Sequence, residues 1–186
     1  MTLEITNRFT HQVIFSGEAD TLRELVERAV ELGIDLCEAN LMGADLRGAR
    51  LASARLSKAY LYGADLTGAV LDNADLFDAK ITKAVLTKAK LRAACLSDAN
   101  LYRADLSSAD LTGADLERAD LIAANLSGAR LRDANLSRAY LTRTDLTGAD
   151  LAGADFTGAE LILIRGLKVE ERAAVSHSRH MYGGAY

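Results

Sequence analysis

Ala-Asp-Leu-Arg-Gly at residues 44–48, Ala-Asp-Leu-Thr-Gly at 64–68 and Ala-Asn-Leu-Ser-Gly at 124–128 are one five-residue unit written three times. Outward from these, the central Leu recurs every five residues from Leu36 to Leu161. That makes 26 positions, with only Ile81 and Phe156 departing from Leu. Two residues before each lies a second register, from Ile34 to Ala159, which is Ala throughout except at Ile34 and Thr144. The residue between the two is most often Asp or Asn. The two residues after Leu are mostly small or polar, and glycines such as Gly43, Gly63, Gly68 and Gly113 occupy the second of them.

A period of five excludes an amphipathic helix, because five steps of ~100° carry each Leu ~140° around the axis and no apolar stripe forms. It also excludes a coiled coil, whose seam repeats every ~3.5 residues. Within each Ala-x-Leu triplet the spacing is two, which places both side chains on one side of an extended segment. The two residues that follow must turn the chain so that the next triplet faces the same interior. The pattern predicts an all-β solenoid: short straight pieces joined by regular corners, coiled around Leu, with successive coils hydrogen-bonded above and below.

These units, with Ala-Asp-Leu again at 114–116, resemble the pentapeptide-repeat family over residues 34–163. The resemblance implies a right-handed quadrilateral β-helix with four units to a coil. The repeat would then make about six and a half coils, a rod on the order of 31 Å tall at ~4.8 Å per coil.

A solenoid needs its apolar ends covered. Leu22, Leu25, Val26, Ala29 and Val30 follow helical spacing between Thr21 and Leu32, Thr21 and Glu24 have capping-box spacing, and Gly33 stands where a left-handed C-terminal residue belongs. Before them, Leu3 with Ile5 and Val13 with Phe15 alternate as two short strands, with Asn7 and Arg8 near the turn. The expected organisation is therefore a hairpin and capping helix at 1–33, the repeat at 34–163, and a C-terminal cap and tail at 164–186. In the last segment, residues 168–175 are long enough for one or two helical turns.

The composition agrees with this reading. Of 186 residues, 49% are hydrophobic yet only 5% aromatic, with no Trp and no Pro, so the apolar half is mainly Leu and Ala. The formal charge is −4, from 22 basic and 26 acidic residues, which excludes both a strongly acidic disordered chain and a basic nucleic-acid binder. No apolar run approaches the ~18 residues of a membrane span. Residues 1–15 lack a basic region followed by an apolar one, and two cysteines do not make a disulfide framework. A cytoplasmic protein is expected.

No catalytic, cofactor-binding or metal-binding residue is expected either. The Asp and Asn residues between Ala and Leu belong to the repeat, and their short side chains suit hydrogen bonds to corner backbone. His177 and His180 have a metal-ligand spacing but no third ligand beside them, and His11 falls in the hairpin as a surface residue. No phosphate-binding or nucleophile-elbow motif occurs. A core filled with Leu leaves no ligand cavity, which argues against an enzyme. Cys37 and Cys95 fall three coils apart, ~14 Å, beyond the ~7 Å reach of a disulfide.

Function should then lie on the faces. Sorted with a period of twenty, the first face (Leu36, Leu56, Leu76) carries net −4, the second (Leu41, Leu61, Ile81) +2, the third (Leu46, Leu66, Leu86) −2 and the fourth (Leu51, Leu71, Leu91) +1. The resemblance implies one known role, since some family members bind DNA gyrase and protect it from quinolones by resembling a duplex. Magnitude argues against that role here: ~31 Å of duplex carries about eighteen charges, against −3 over the repeat, and Arg55, Lys58, Arg118 and Arg138 interrupt the acidic face.

The second face instead holds Tyr60, Tyr62, Tyr102 and Tyr140, and a column reading Met42, Tyr62, Thr82, Tyr102, Ile122, Thr142, Ile162. Stacking between coils is one reading of this column. Docking of a protein partner, or of a second copy, on Met42, Tyr60, Tyr62, Tyr102, Ile122, Tyr140 and Ile162 is the other. A non-enzymatic interaction or scaffold protein is expected, with a gyrase-binding DNA mimic as the alternative and no direct contact with nucleic acid or membrane.

Overall fold

The computed structural model describes residues 1–167. The expected helical turns at 168–175, the His177–His180 pair and the tail lie outside the described residues. From Asn40–Tyr60 to Asp145–Arg165, parallel bridges join residues twenty apart, so each layer of the solenoid takes four units.

Units with a layer above and below satisfy their backbone in the same way, as residues 64–68 show. Asp65 N–H donates down to Ala44 O (2.9 Å), Leu66 N–H donates up to Val85 O (2.7 Å), and Gly68 N–H donates up to Thr87 O (2.9 Å). Ala64 N–H closes the preceding corner onto Leu61 O at 3.0 Å. Only the N–H after Leu lacks a backbone acceptor, and Thr67 N–H is taken by Asp65 Oδ1 at 2.9 Å. All 15 Asp and Asn residues in this register make that bond to the N–H two residues on. The Asp/Asn column thus exists because one amide per unit would otherwise be unpaired.

Every corner also places its second residue in the left-handed region. Glycine fills this position in some units (Gly43 φ 64°, Gly113 φ 67°), and Lys83 (58°), Arg103 (57°) or Ala93 (53°) fills it in others. The turn requires a positive φ there, which glycine adopts without a steric penalty. From Leu36 to Leu141 the central residues are at most 1% exposed, and their Ala partners line the same interior. Each buried Leu contributes about 1.5–3 kcal/mol of transfer free energy. Burial relaxes toward the last described units, where Leu151 and Leu161 are only partly covered.

At the N-terminal end, β1 (Thr2–Thr6) and β2 (Val13–Glu18) form an antiparallel hairpin, followed by α1 (Leu22–Glu31). Leu25, Val26 and Ala29 of α1 and Ile5 of β1 are buried in the same core as the repeat. The Thr21 side chain caps the helix by accepting from Glu24 N–H at 3.2 Å. The return bond differs from the capping-box expectation, because the Glu24 carboxylate accepts from Asp20 N–H (3.0 Å) rather than from Thr21. At the other end, Gly33 N–H bonds Val30 O and Ile34 N–H bonds Ala29 O, with Gly33 at φ 67°, the geometry that lets a chain leave a helix sharply. The hairpin is fastened to the first coil by Asn40 N–H to Thr6 O (2.8 Å) and Arg8 N–H to Glu38 O (2.9 Å). No helix among the described residues is long and apolar enough to cross a membrane.

Candidate interaction face

The second face is built by two stacked columns. Bridges run Asn40–Tyr60–Lys80–Asn100–Asp120–Tyr140–Glu160 before the central residue. At the corner beyond it, Gly43 N–H donates to Tyr62 O, Lys83 N–H to Tyr102 O, Arg103 N–H to Ile122 O and Arg143 N–H to Ile162 O. The seven residues singled out in the sequence therefore share one side of the rod. Met42 (59% exposed), Tyr140 (47%) and Ile162 (48%) stand in solvent. Tyr60, Tyr62, Tyr102 and Ile122 are half-buried between neighbours.

Some of that cover is mutual. The rings of Tyr60 and Tyr62 stack at 6.3 Å. Lys83 Nζ lies 5.5 Å from the centre of the Tyr62 ring and donates to its hydroxyl at 3.1 Å, and the Arg103 guanidinium lies 5.1 Å from the Tyr102 ring. Lys83, Arg103 and Arg143 form no ion pair with a described carboxylate, whereas Arg92 and Arg118 on other faces are held by Asp72 (2.6 Å) and Asp98 (2.7 Å). Of the cations of this face, Lys80 pairs with Asp78, whereas Lys83 and Arg103 sit on aromatic rings and Arg143 stands in solvent.

Where the hairpin meets the first coils, the face contains a surface hollow of about 390 Å³ lined by Arg8, Asn40, Met42, Tyr60 and Lys80. The sequence marked Met42 and Tyr60 but gave no sign that Arg8 and Lys80, 72 positions apart, would join them. No group of three or more potential metal ligands occurs among the described residues. Both cysteines are free, and burial, followed by Glu38 and Asp35, pushes the Cys37 thiol up.

The acidic first face is partly neutralised by its own arginines. Arg118 contacts Asp98 and Glu117 (2.7 and 2.6 Å), and Arg138 approaches Glu117 at 3.8 Å. Side-chain bonding to Arg118 lowers the Asp98 carboxyl below its ordinary value.

No curated protein matches the chain significantly. Among solved structures, HetL, a pentapeptide repeat protein involved in heterocyst differentiation regulation from the cyanobacterium Nostoc sp. strain PCC 7120, is 36% identical. That match covers 69% of this chain and 74% of HetL, with a TM-score of 0.42. A pentapeptide repeat protein from the Arabidopsis thaliana thylakoid lumen is 29% identical, over 62% of this chain and 77% of the other, with a TM-score of 0.41. A trypsin-treated variant of QnrB1, a plasmid-mediated fluoroquinolone resistance protein, is 20% identical over 74% of this chain and 82% of that one. Its TM-score of 0.53 shows likeness of fold. The family model for pentapeptide repeats matches eight copies, at residues 32–57, 54–92, 99–138 and 134–162. With the twenty-residue ladder and the Leu, Ala and Asp/Asn columns, that match establishes that the chain belongs to the pentapeptide-repeat family.

Proposed function

We propose that this protein is a non-enzymatic interaction module that docks a protein partner on its second face. The observation that carries this reading is one strip holding exposed Met42, Tyr140 and Ile162 beside Lys83, Arg103 and Arg143, none of which forms an ion pair with a described carboxylate. Apolar and aromatic area with little charge to desolvate is what an interface core uses, and cations on its margin attract an acidic partner surface. Asp120 and Glu160 are the only carboxylates on this face, and Asp120 is already engaged by Ile122 N–H at 3.0 Å. The working organisation is the hairpin and helix at 1–33 as a plug, the repeat at 34–163 as the recognition rod, and 164–186 as the expected C-terminal cap and tail, in the cytoplasm.

The test is capture. Immobilised protein and its Tyr62→Ser, Tyr102→Ser, Ile122→Ser variant are exposed to extract of the cells that make it, and retained proteins are identified by mass. A partner held by the native rod and released by the triple variant, with matching circular dichroism, supports the reading. A partner held equally by both contradicts it.

The excess of carboxylates on the first face favours a second reading, a DNA mimic directed at gyrase. The pairing of Arg118 and Arg138 with Asp98 and Glu117 weighs against it. A supercoiling assay with and without a quinolone separates the two. Neither inhibition nor protection at micromolar protein removes the mimic.

A further inference from the structure

Among the described residues, one buried side-chain polar atom has no hydrogen-bond partner: Arg8 Nε. Arg8 is one of the residues that line the hollow at the base of the second face. Buried donors are almost always paired in folded proteins, so an arginine that lines a hollow and keeps an unpaired donor marks a place where another group belongs.

The surroundings specify that group. Arg8 is anchored through its backbone N–H to Glu38 O at 2.9 Å, and its guanidinium lies 4.2 Å from the Phe9 ring centre and 5.4 Å from that of Tyr60. Aromatic faces restrain a guanidinium without using its in-plane donors. Arg8 makes no ion pair with a described carboxylate. The carboxylate of Glu38, the residue whose carbonyl takes the Arg8 N–H, accepts instead from Asn7 Nδ2 at 3.1 Å. Lys80 adds a second positive charge and contacts Asp78 at 2.5 Å, so the unmatched charge in the hollow is that of Arg8. Met42 and Tyr60 supply an apolar wall. A planar carboxylate matches the arginine fork, and a short aliphatic stem matches the wall.

We propose that the hollow receives an aspartate or glutamate side chain of the protein docked on the second face. This rests on the docking reading above and names that partner's anchor. A protein side chain is favoured over a free acid because the hollow opens on the surface and continues into the strip through Met42 and the stacked Tyr60–Tyr62 pair.

The experiment uses the intact native protein and follows the Arg8 Nε–H resonance by NMR, assigned by its loss in Arg8→Gln. The probes are acetyl-Leu-Glu-Leu-amide, its Gln counterpart, acetate and inorganic phosphate. The Glu peptide is expected to shift the resonance saturably with a Kd of about 1 mM at low salt, about tenfold tighter than the Gln peptide or acetate. Equal response to the Glu and Gln peptides, or no response to any probe, overturns the proposal. Tighter binding of phosphate or acetate than of the Glu peptide overturns it as well. Partner capture distinguishes the two levels of the argument. Capture lost in the Tyr62, Tyr102, Ile122 variant but kept in Arg8→Gln removes the anchor alone, whereas capture kept in both removes the docking face.

Discussion

The Thr144 hydroxyl, fully buried in a register that is alanine from Ala39 to Ala159 at every other position, donates to the Leu121 carbonyl 23 residues earlier at 2.8 Å. A polar atom enters the core here without remaining unpaired. Replacing the hydroxyl by a methyl group would press carbon against oxygen at a hydrogen-bond distance. Thr144→Val should therefore cost about 1–3 kcal/mol, and Thr144→Ala, which restores the repeat, should cost less. Thermal unfolding of the two variants checks the order, and a more stable Val variant would contradict the assignment.

The core columns make a simpler demand. Leu106→Ala, in an interior coil, should cost about 2–5 kcal/mol, because stacked layers cannot collapse into the gap. Ala109→Leu should cost about 1–3 kcal/mol by overpacking the corner. Denaturant unfolding measures both. Two unmoved midpoints would mean that these side chains do not face inward.

At the corners, backbone conformation decides the outcome rather than space. An added Cβ at Gly113 would meet nothing within 4 Å, yet φ there is 67°. Gly113→Ala should destabilise by about 1 kcal/mol through strain alone. Ala93, exposed with φ 53°, should gain stability when changed to Gly. Opposite signs at the two sites, read as melting temperatures, are the expected result, and a shared sign contradicts it.

Acid sensitivity follows from the carboxylates. Asp45 is held down to about 2, first by its side-chain bond with Arg47 and then by Arg47 N–H. Asp72 and Asp150 are lowered by Arg92 and Arg132, and Asp145 and Asp155 by Thr147 and Thr157. Folded values below the unfolded value of about 3.9 mean that this stability is complete above about pH 5 and is lost as pH falls through the folded values. The melting temperature should be flat from pH 7 to about 5 and should drop below about 4. A melting temperature that holds or rises toward pH 2 would contradict this.

Much of the fold is legible because the repeat writes its interior in plain code. Leu and Ala two apart must share a side, and a period of five must turn a corner after each pair. The Asp/Asn column was legible as corner chemistry, while its specific task, accepting the single amide that the ladders leave unpaired, required the full set of backbone bonds. The hollow was not legible. Arg8 reaches it from a hairpin turn and Lys80 from a later coil, and nothing local in either segment announces the meeting. Glu24 is a similar case on a smaller scale, since its spacing to Thr21 did not reveal that it would bond Asp20 instead. The weight of the second face was visible as tyrosines in one register, but the absence of described carboxylate partners for Lys83, Arg103 and Arg143 depends on where the acidic chains point.

The most direct measurement is titration calorimetry of the captured partner, once purified, against the native rod and the Tyr62→Ser, Tyr102→Ser, Ile122→Ser variant, with circular dichroism of both. The account predicts at least a tenfold loss of affinity, roughly 1.4 kcal/mol or more, with an unchanged spectrum. Equal affinity for the two proteins, with the fold intact, would contradict it.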